Sequence, residues 1–298
     1  MSDELTMMTA TEMLRLYRAR KLSPVETTKA AIDRIEKYDD QVKAFRLFAP
    51  REAMKAARES EKRWAKGKPR GSLDGVPTTL KDQWLTKGWS TLRGSTLSPT
   101  KGPWKEDSPA VARLREHNAV FLGKTTMPEF GWKGVTDCAL SGISRNPWDP
   151  SKTCGGSSGG AAIAAAAGFA PLNLGSDGAG SVRMPAAFCG VFGIKGTFGR
   201  VPAYPYATLP MMSHSGPMTR TVTDGALMYN VMTLPDPRDW LAPPYDGRDY
   251  LVGLDQGVRG LRIAYSRDLG YAKVDREVIQ AVDKAVKVFE ELGAIVEE

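Results

Sequence analysis

Two serines set among glycines, Ser157 in GGSSGG and Ser181 in GSDGAGSVR, lie 24 positions apart and constrain this 298-residue chain more than any other feature. Both fall in residues 154–201, with an alanine-rich segment and a short apolar run between them. Clustered glycines cost backbone entropy on folding. They are tolerated where φ must be positive or where a ligand must approach the main chain closely. The simplest alternative is a flexible Gly/Ser linker. The next residues argue against it, because 161–167 are strongly helix-forming and Leu172 and Leu174 are apolar.

Strand and helix signals alternate around this stretch. Residues 11–20 read as an amphipathic helix, a second helix starts with Ser23 as N-cap, Pro24 at N1 and Glu26 at N3, and a third covers residues 50–66. Three helices thus precede the first central strand, within residues 75–82, which places Lys81 at its end. A Gly/Ser/Thr/Pro-rich loop over 84–107, a helix over 108–117 and a strand over 119–123 come next. GKTTMPE, residues 123–129, reads as a strand-to-helix turn and lacks the P-loop pattern, and NPWDP, 146–150, is a rigid turn. Beyond residue 200 the pattern predicts a loop over 201–217, a helix over 221–232 and an irregular connection over 235–253. A strand over 261–266, a helix over 275–292 and a strand over 294–297 complete it. The alternation predicts an α/β fold with a mixed central β-sheet flanked by helices on both faces. Residues 1–70 are expected to form a helical segment packed on a core of residues 71–298.

Bulk properties exclude several function classes. The charge is +7, but 41 Lys and Arg are interspersed with 34 Asp and Glu. The densest basic stretch, 62–70, sits at a predicted helix end, where cations complement the helix dipole. It reads as a solvated face, not a nucleic-acid patch. Cys138, Cys154 and Cys189 form no CxxC, and neither His117 nor His214 is near them in sequence, so a zinc site or disulfide framework is not expected. The N-terminus lacks signal-peptide character and no apolar run could span a bilayer, so the expected compartment is the cytoplasm.

A serine nucleophile needs a base, since a free hydroxyl is hardly ionised at neutral pH. His117, at the end of a charged helix, and His214, in a loop, are poor candidates. Lysine remains: a buried Lys81 would have its pKa depressed, because desolvation disfavours the charged form, and a neutral amine is a general base. Ser98–Lys101 matches an S-x-x-K pattern, but Pro99 is awkward in the helix that motif needs. The small residues Gly178, Ala179, Gly180 and Ser181 would let successive N–H groups face a concavity suited to an oxyanion. Asp177 and Arg183 flank that turn and are expected to pair across it structurally.

GGSSGG, GSDGAGSVR, the following PAAFCGVFGIKGTFGRV and the upstream LKD together resemble the amidase signature family of serine hydrolases. The resemblance extends over nearly the whole chain through the N-terminal helices, GKTTMPE, NPWDP and GPMTRTVTD. It implies a Ser–Ser–Lys triad that hydrolyses carboxamides through an acyl-enzyme: Ser181 as nucleophile, Ser157 as the bridging serine after a cis peptide bond, and Lys81 as base. Ser158 then supplies a supporting hydroxyl and Gly178–Ser181 the oxyanion loop, with no metal or organic cofactor. The family loop commonly reads G-T-D-x-G-G-S, so Ser176 and Ala179 are departures. Family members continue past the equivalent of Glu298, so the resemblance also implies a C-terminally shortened chain, a homodimer or a chain completed by another polypeptide. The implied substrate is a small amide, with no direct nucleic-acid or membrane partner. Three other readings remain open: the glutaminase (A) component of a tRNA-dependent amidotransferase, which the bulky Trp84 modestly disfavours; a non-catalytic scaffold; and an amidase using Cys154 or Cys189.

Overall fold

The computed structural model describes residues 2–206 and 210–298. Its first long helices begin where capping side chains are available. After α1 (Ser2–Met7), Thr9 caps α2 (Ala10–Arg18) and Ser23 caps α3 (Pro24–Val42). Ser23 Oγ accepts from Val25 N and Glu26 N at 3.2 and 3.3 Å, while Glu26 Oε2 accepts from Ser23 N at 2.8 Å. This reciprocal box satisfies N–H groups that the first turn leaves open. Strand β1 (Phe45–Phe48) and helix α4 (Pro50–Ala65) follow. Four helices and a strand therefore precede the central strands, where the sequence predicts three helices. The six residues of α1 and the four of β1 are too short to carry a periodic signal.

The elements that position the site are β2 (Pro77–Lys81), α5 (Pro109–Glu116), β3 (Val120–Thr125), the short pair β4 (Asp137–Cys138) and β5 (Gly142–Ile143), and α6 (Gly159–Ala166). They continue with β6 (Leu172–Asp177), α7 (Arg183–Cys189), β7 (Phe192–Gly193), β8 (His214–Thr219) and α8 (Val222–Met232). One six-stranded sheet has the order β1-β3-β2-β6-β8-β7. Its centre, β3-β2-β6, is parallel, and β1, β8 and β7 are added antiparallel. Every residue of β2, β3 and β6 is buried. Parallel strands have their crossover helices laid over them, so they lose the polar alternation of half-exposed strands. Helix α6 packs on β2, β3, β6 and β8, and its residues from Gly159 to Ala165 are all buried. Only a slim, apolar helix fits there, which accounts for its alanines. The sheet is mixed and flanked by helices, as the sequence predicts.

One expectation is overturned. The sequence predicts a loop over 201–217, yet residues from His214 onward form β8, a strand with neighbours on both sides. HSGPMT has poor strand propensity, and Pro217, paired with Leu174, has no N–H to offer. Pairing with β6 and β7 supplies what propensity does not, and the Pro217 carbonyl still accepts from Ile194 N at 3.4 Å. Residues 207–209 of that predicted loop lie outside the described residues.

The chain divides into two compact units, Met1–Asp249 and Tyr250–Glu298. The helices of residues 1–70 belong to the same unit as the sheet, with α3 against β2 and α4 against β3. The second unit holds β9 (Arg262–Ala264), α9 (Arg276–Glu291) and β10 (Ile295–Glu297), the strand, helix and strand that the sequence predicts there. β9 and β10 pair in parallel, and Asp275 caps α9 by accepting from Glu277 N at 2.9 Å. No described helix is long and apolar enough to cross a membrane.

Candidate active site

Lys81 ends β2 inside the sheet, with β3 on one side and β6 on the other. Its side chain is wholly buried, and Nζ lies 2.7 Å from Ser157 Oγ, 2.9 Å from Ser158 Oγ and 2.8 Å from Ser176 Oγ. The three hydroxyls come from two segments, the turn before α6 and the end of β6. Burial pushes the amine down to about 7, with the charge of Asp177 opposing that shift. An amine this deep is surrounded by neutral oxygens, so no opposite charge in direct contact offsets its desolvation.

The hydroxyls are not equivalent. Ser158 Oγ donates to Ser176 O at 2.9 Å and accepts from Ser176 N at 3.1 Å. A hydroxyl has one proton, so toward Lys81 the Ser158 oxygen acts only as acceptor. A neutral amine has two N–H bonds and one lone pair. After Ser158 takes one N–H, Ser157 and Ser176 divide the other N–H and the lone pair between them. Ser157 follows a cis peptide bond from Gly156, and Ser158 N donates to Ser181 O at 3.2 Å, which holds this turn against residue 181. Ser181 Oγ itself has no hydrogen-bond partner among the described residues, so the geometry contains the Lys81–Ser157 contact but no Ser157–Ser181 hydrogen bond.

Asp177 organises the turn that carries Ser181. Its carboxylate accepts from Arg183 Nε at 2.9 Å and Nη2 at 3.0 Å, and from the N–H groups of Gly180 and Val182 at 2.7 and 3.2 Å. Burial opposes the charge, but the bonds from Arg183, Gly180 and Val182 outweigh it and hold the carboxyl down at about 2. The contact from Gly180 alters one expectation. Its N–H is engaged by Asp177, so of the four residues expected to face an oxyanion only Gly178, Ala179 and Ser181 have an N–H without an acceptor among the described residues. Gly180 instead supplies conformation: its φ is 114°, which an L-residue rarely adopts. Ala179 is not among the residues with positive φ, so its methyl imposes no such strain.

Other sequence candidates fall elsewhere. His117 is capped by Ser72, whose N and Oγ lie 3.1 and 3.0 Å from Nδ1. His214 faces the site from β8, but its Nδ1 lies 3.1 Å from Asp177 O and 2.8 Å from Met212 O, both acceptors, so that nitrogen carries the proton. Ser98 is in an irregular loop, with Oγ donating to Leu92 O at 2.7 Å, and Lys101 is exposed. Burial pushes the thiols of Cys154 and Cys189 up to about 11 and about 12, the opposite of what a thiolate nucleophile requires. NPWDP clamps the far end of α7: Asn146 Nδ2 donates to Phe188 O and Trp148 Nε1 to Cys189 O, each at 2.8 Å. Among the described residues no cluster of three or more His, Cys, Asp or Glu could hold a metal.

Two residues here went unassigned in the sequence. Ser176 stands out there only as a departure from T in the G-T-D pattern, yet it contacts Lys81 directly. Lys124, in GKTTMPE, is a second wholly buried lysine. Its Nζ donates to Thr91 Oγ1 at 2.6 Å and Trp84 O at 2.9 Å, and pairs with Asp82 Oδ1 at 3.1 Å.

A family profile described as Amidase matches residues 26–298. The chain belongs to the amidase signature family. It is 39% identical over 296 residues to the A component of glutamyl-tRNA(Gln) amidotransferase from Carboxydothermus hydrogenoformans, covering 99% of this chain and 61% of the relative. It is 40% identical over 293 residues to an acylamidase from Rhodococcus erythropolis, covering 98% of this chain and 61% of that one. Among solved structures, a bacterial aryl acylamidase of the amidase signature family superposes with a TM-score of 0.90 at 36% identity, over 97% of this chain and 60% of the other. The chain thus spans about 60% of the length of these family members.

Proposed function

We propose that this chain is an amidase that cleaves carboxamide C–N bonds through a seryl acyl-enzyme. Ser181 Oγ attacks the carbonyl carbon, and its proton moves to Ser157 as Ser157 gives its own to the lone pair of neutral Lys81. The N–H groups of Gly178, Ala179 and Ser181 hold the oxyanion. The relay then runs backward to protonate the departing nitrogen, and water, deprotonated by the same route, hydrolyses the ester. Ser158 and Ser176 fix the amine, and the Asp177–Arg183 pair fixes the turn.

One observation carries this reading: a wholly buried amine contacts only hydroxyls and is pushed down to about 7, so it is available as a base near neutral pH. The test is hydrolysis of simple aryl and aliphatic amides by the purified chain and by Ser181→Ala, with fluorophosphonate labelling of Ser181 in parallel. Turnover and labelling that both vanish in Ser181→Ala are expected. Equal turnover by the two proteins would remove Ser181 from its role.

The name shared by several relatives at 36–40% identity favours a second reading, the glutamine-hydrolysing component of a glutamyl-tRNA(Gln) amidotransferase. It uses the same seryl chemistry, with glutamine as ammonia donor and partner proteins present. Glutaminase activity that appears only on addition of such partners would select it over a stand-alone amidase.

A further inference from the structure

Gln83 lies two residues beyond the end of β2, between two anchored neighbours. Asp82 is held by Arg46 through two bonds, at 3.1 and 2.6 Å, and by the ion pair with Lys124 at 3.1 Å. On the other side Trp84 is buried, and its carbonyl accepts from Lys124 Nζ at 2.9 Å. The backbone on either side of Gln83 is therefore pinned. The Gln83 carboxamide is half-buried and has no hydrogen-bond partner among the described residues. A carboxamide offers two N–H donors and one acceptor oxygen, and leaving them unmet in a partly dry position costs stability unless water or a ligand meets them.

Its place gives that unmet capacity meaning. Gln83 Oε1 lies 3.6 Å from the point a β-carbon on Gly131 would occupy, and Ser157 Oγ lies 3.2 Å from the same point. The carboxamide oxygen, the Ser157 hydroxyl and Met127 Cε, at 3.5 Å, thus all lie within 4 Å of one point beside Gly131, so the carboxamide stands on the same side of Gly131 as the Ser157 hydroxyl. On the reading above, Ser157 is the hydroxyl that returns the proton to the departing nitrogen. A group beside Ser157 therefore stands against the amine half of the substrate, not the acyl half, which is bonded to Ser181.

We infer that Gln83 is a specificity-determining residue for the leaving amine, hydrogen-bonding amides whose departing amine carries its own amide or other polar group beyond the scissile nitrogen. This inference rests on the proposed Ser181–Ser157–Lys81 relay. A site that presents an unpaired carboxamide discriminates against an analogue lacking the matching polar group, because the half-buried donors and acceptor then go unmet once the substrate covers them. Either orientation of the carboxamide serves, since its oxygen and nitrogen exchange by a half-turn.

The test holds the acyl group constant. Hexanoyl-glycinamide and hexanoyl-propylamide differ in the polar group beyond the scissile bond, and kcat and KM for both are compared in the wild-type chain, Gln83→Met and Gln83→Ala. The ratio of kcat/KM for the glycinamide over the propylamide is expected to fall about tenfold in both variants, mainly through KM, as loss of one or two hydrogen bonds implies. Fluorophosphonate labelling of Ser181 reports an intact nucleophile in each protein independently of any leaving amine. An unchanged ratio in labelled variants overturns the inference and leaves the relay standing. Absence of both labelling and turnover in the wild-type chain overturns the relay, and the inference falls with it.

Discussion

Two lysines are buried completely on neighbouring strands, Lys81 on β2 and Lys124 on β3, and their surroundings separate them. β3 sets Lys124 opposite Leu80 and Thr125 opposite Lys81, so the two amines belong to adjacent positions of the register and reach different partners. Burial lowers both, Lys81 to about 7 and Lys124 to about 8. Lys124 is drawn partway back by Asp82, a carboxylate it shares with Arg46, whose own charge works the other way. Lys81 meets three hydroxyls and no carboxylate in contact. A buried lysine with a carboxylate serves to cross-link loops: Lys124 and Arg46 tie Asp82 to the Ser90 carbonyl, at 3.3 Å from Lys124. A buried lysine among hydroxyls gains little structurally to offset its desolvation, and its neighbours are groups that can exchange protons with it.

Replacing each lysine with methionine tests that contrast most severely. Lys81→Met is expected to lower kcat for amide hydrolysis by about 10³-fold, the middle of the range a general base supplies, with no loss of stability in urea titration. Lys124→Met is expected to cost about 3 kcal/mol of stability, because it breaks a buried pair and leaves Asp82 with Arg46 as its one cationic partner beside the Leu92 N–H, with kcat reduced less than tenfold in the fraction that remains folded. Comparable losses of kcat in the two variants would erase the functional distinction.

The next largest effect is pH. Lys81 works as a base only when neutral, so kcat/KM should climb about tenfold per pH unit below 7 and level off above it, while Asp177, held at about 2, stays charged throughout. A profile still rising at pH 9 would show that the titrating group is an ordinary lysine. The same shift has a stability consequence with a definite sign. The unfolded chain binds more protons than the fold between the lysines' lowered and ordinary values, so stability should decline as pH falls through that window. Chemical denaturation at pH 9 and pH 7 measures it, and Lys81→Met should flatten the slope.

Asp177→Asn sharpens the comparison from the side. The charge on Asp177 raises the Lys81 value, so its removal should move the acid limb of the pH profile to lower pH. It also loosens the Ser181 turn, with kcat lower by about tenfold to a hundredfold from misplaced donors. The smallest expected effect is that of Ser176→Ala. It removes one of three hydroxyls around Lys81 and should change kcat by less than tenfold, because Ser157 and Ser158 still hold the amine. A loss as large as that of Ser157→Ala would mean that Ser176 and not Ser157 carries the proton.

Much of this arrangement is legible in the residues. The capping box at Ser23, the helices ending at Ala65 and Met232 and the strand ending at Lys81 each have a local cause that survives in the folded chain. β8 does not, because HSGPMT becomes a strand only when β6 and β7 stand on either side of it. The distinction between Gly180 and its neighbours is also invisible in sequence. All four residues from Gly178 to Ser181 carry an N–H, and which one turns to Asp177 depends on the closure of the turn by Arg183. The partners of Lys81 follow the same division. Ser157 and Ser158 are conspicuous in their glycines, whereas Ser176 is an ordinary strand residue until β6 is set beside β2.

By itself the sequence determined the secondary-structure alternation and the glycine-flanked turns, and it singled out two serines and one lysine as candidates, because these rest on local propensity, on residue chemistry and on the family resemblance. Only the tertiary structure decided which buried lysine meets a carboxylate and which meets hydroxyls, and which backbone N–H groups are left open. Those outcomes depend on strand order and register, which bring together residues as far apart as Lys81 and Ser176, 95 positions along the chain. No local interaction can encode such a contact.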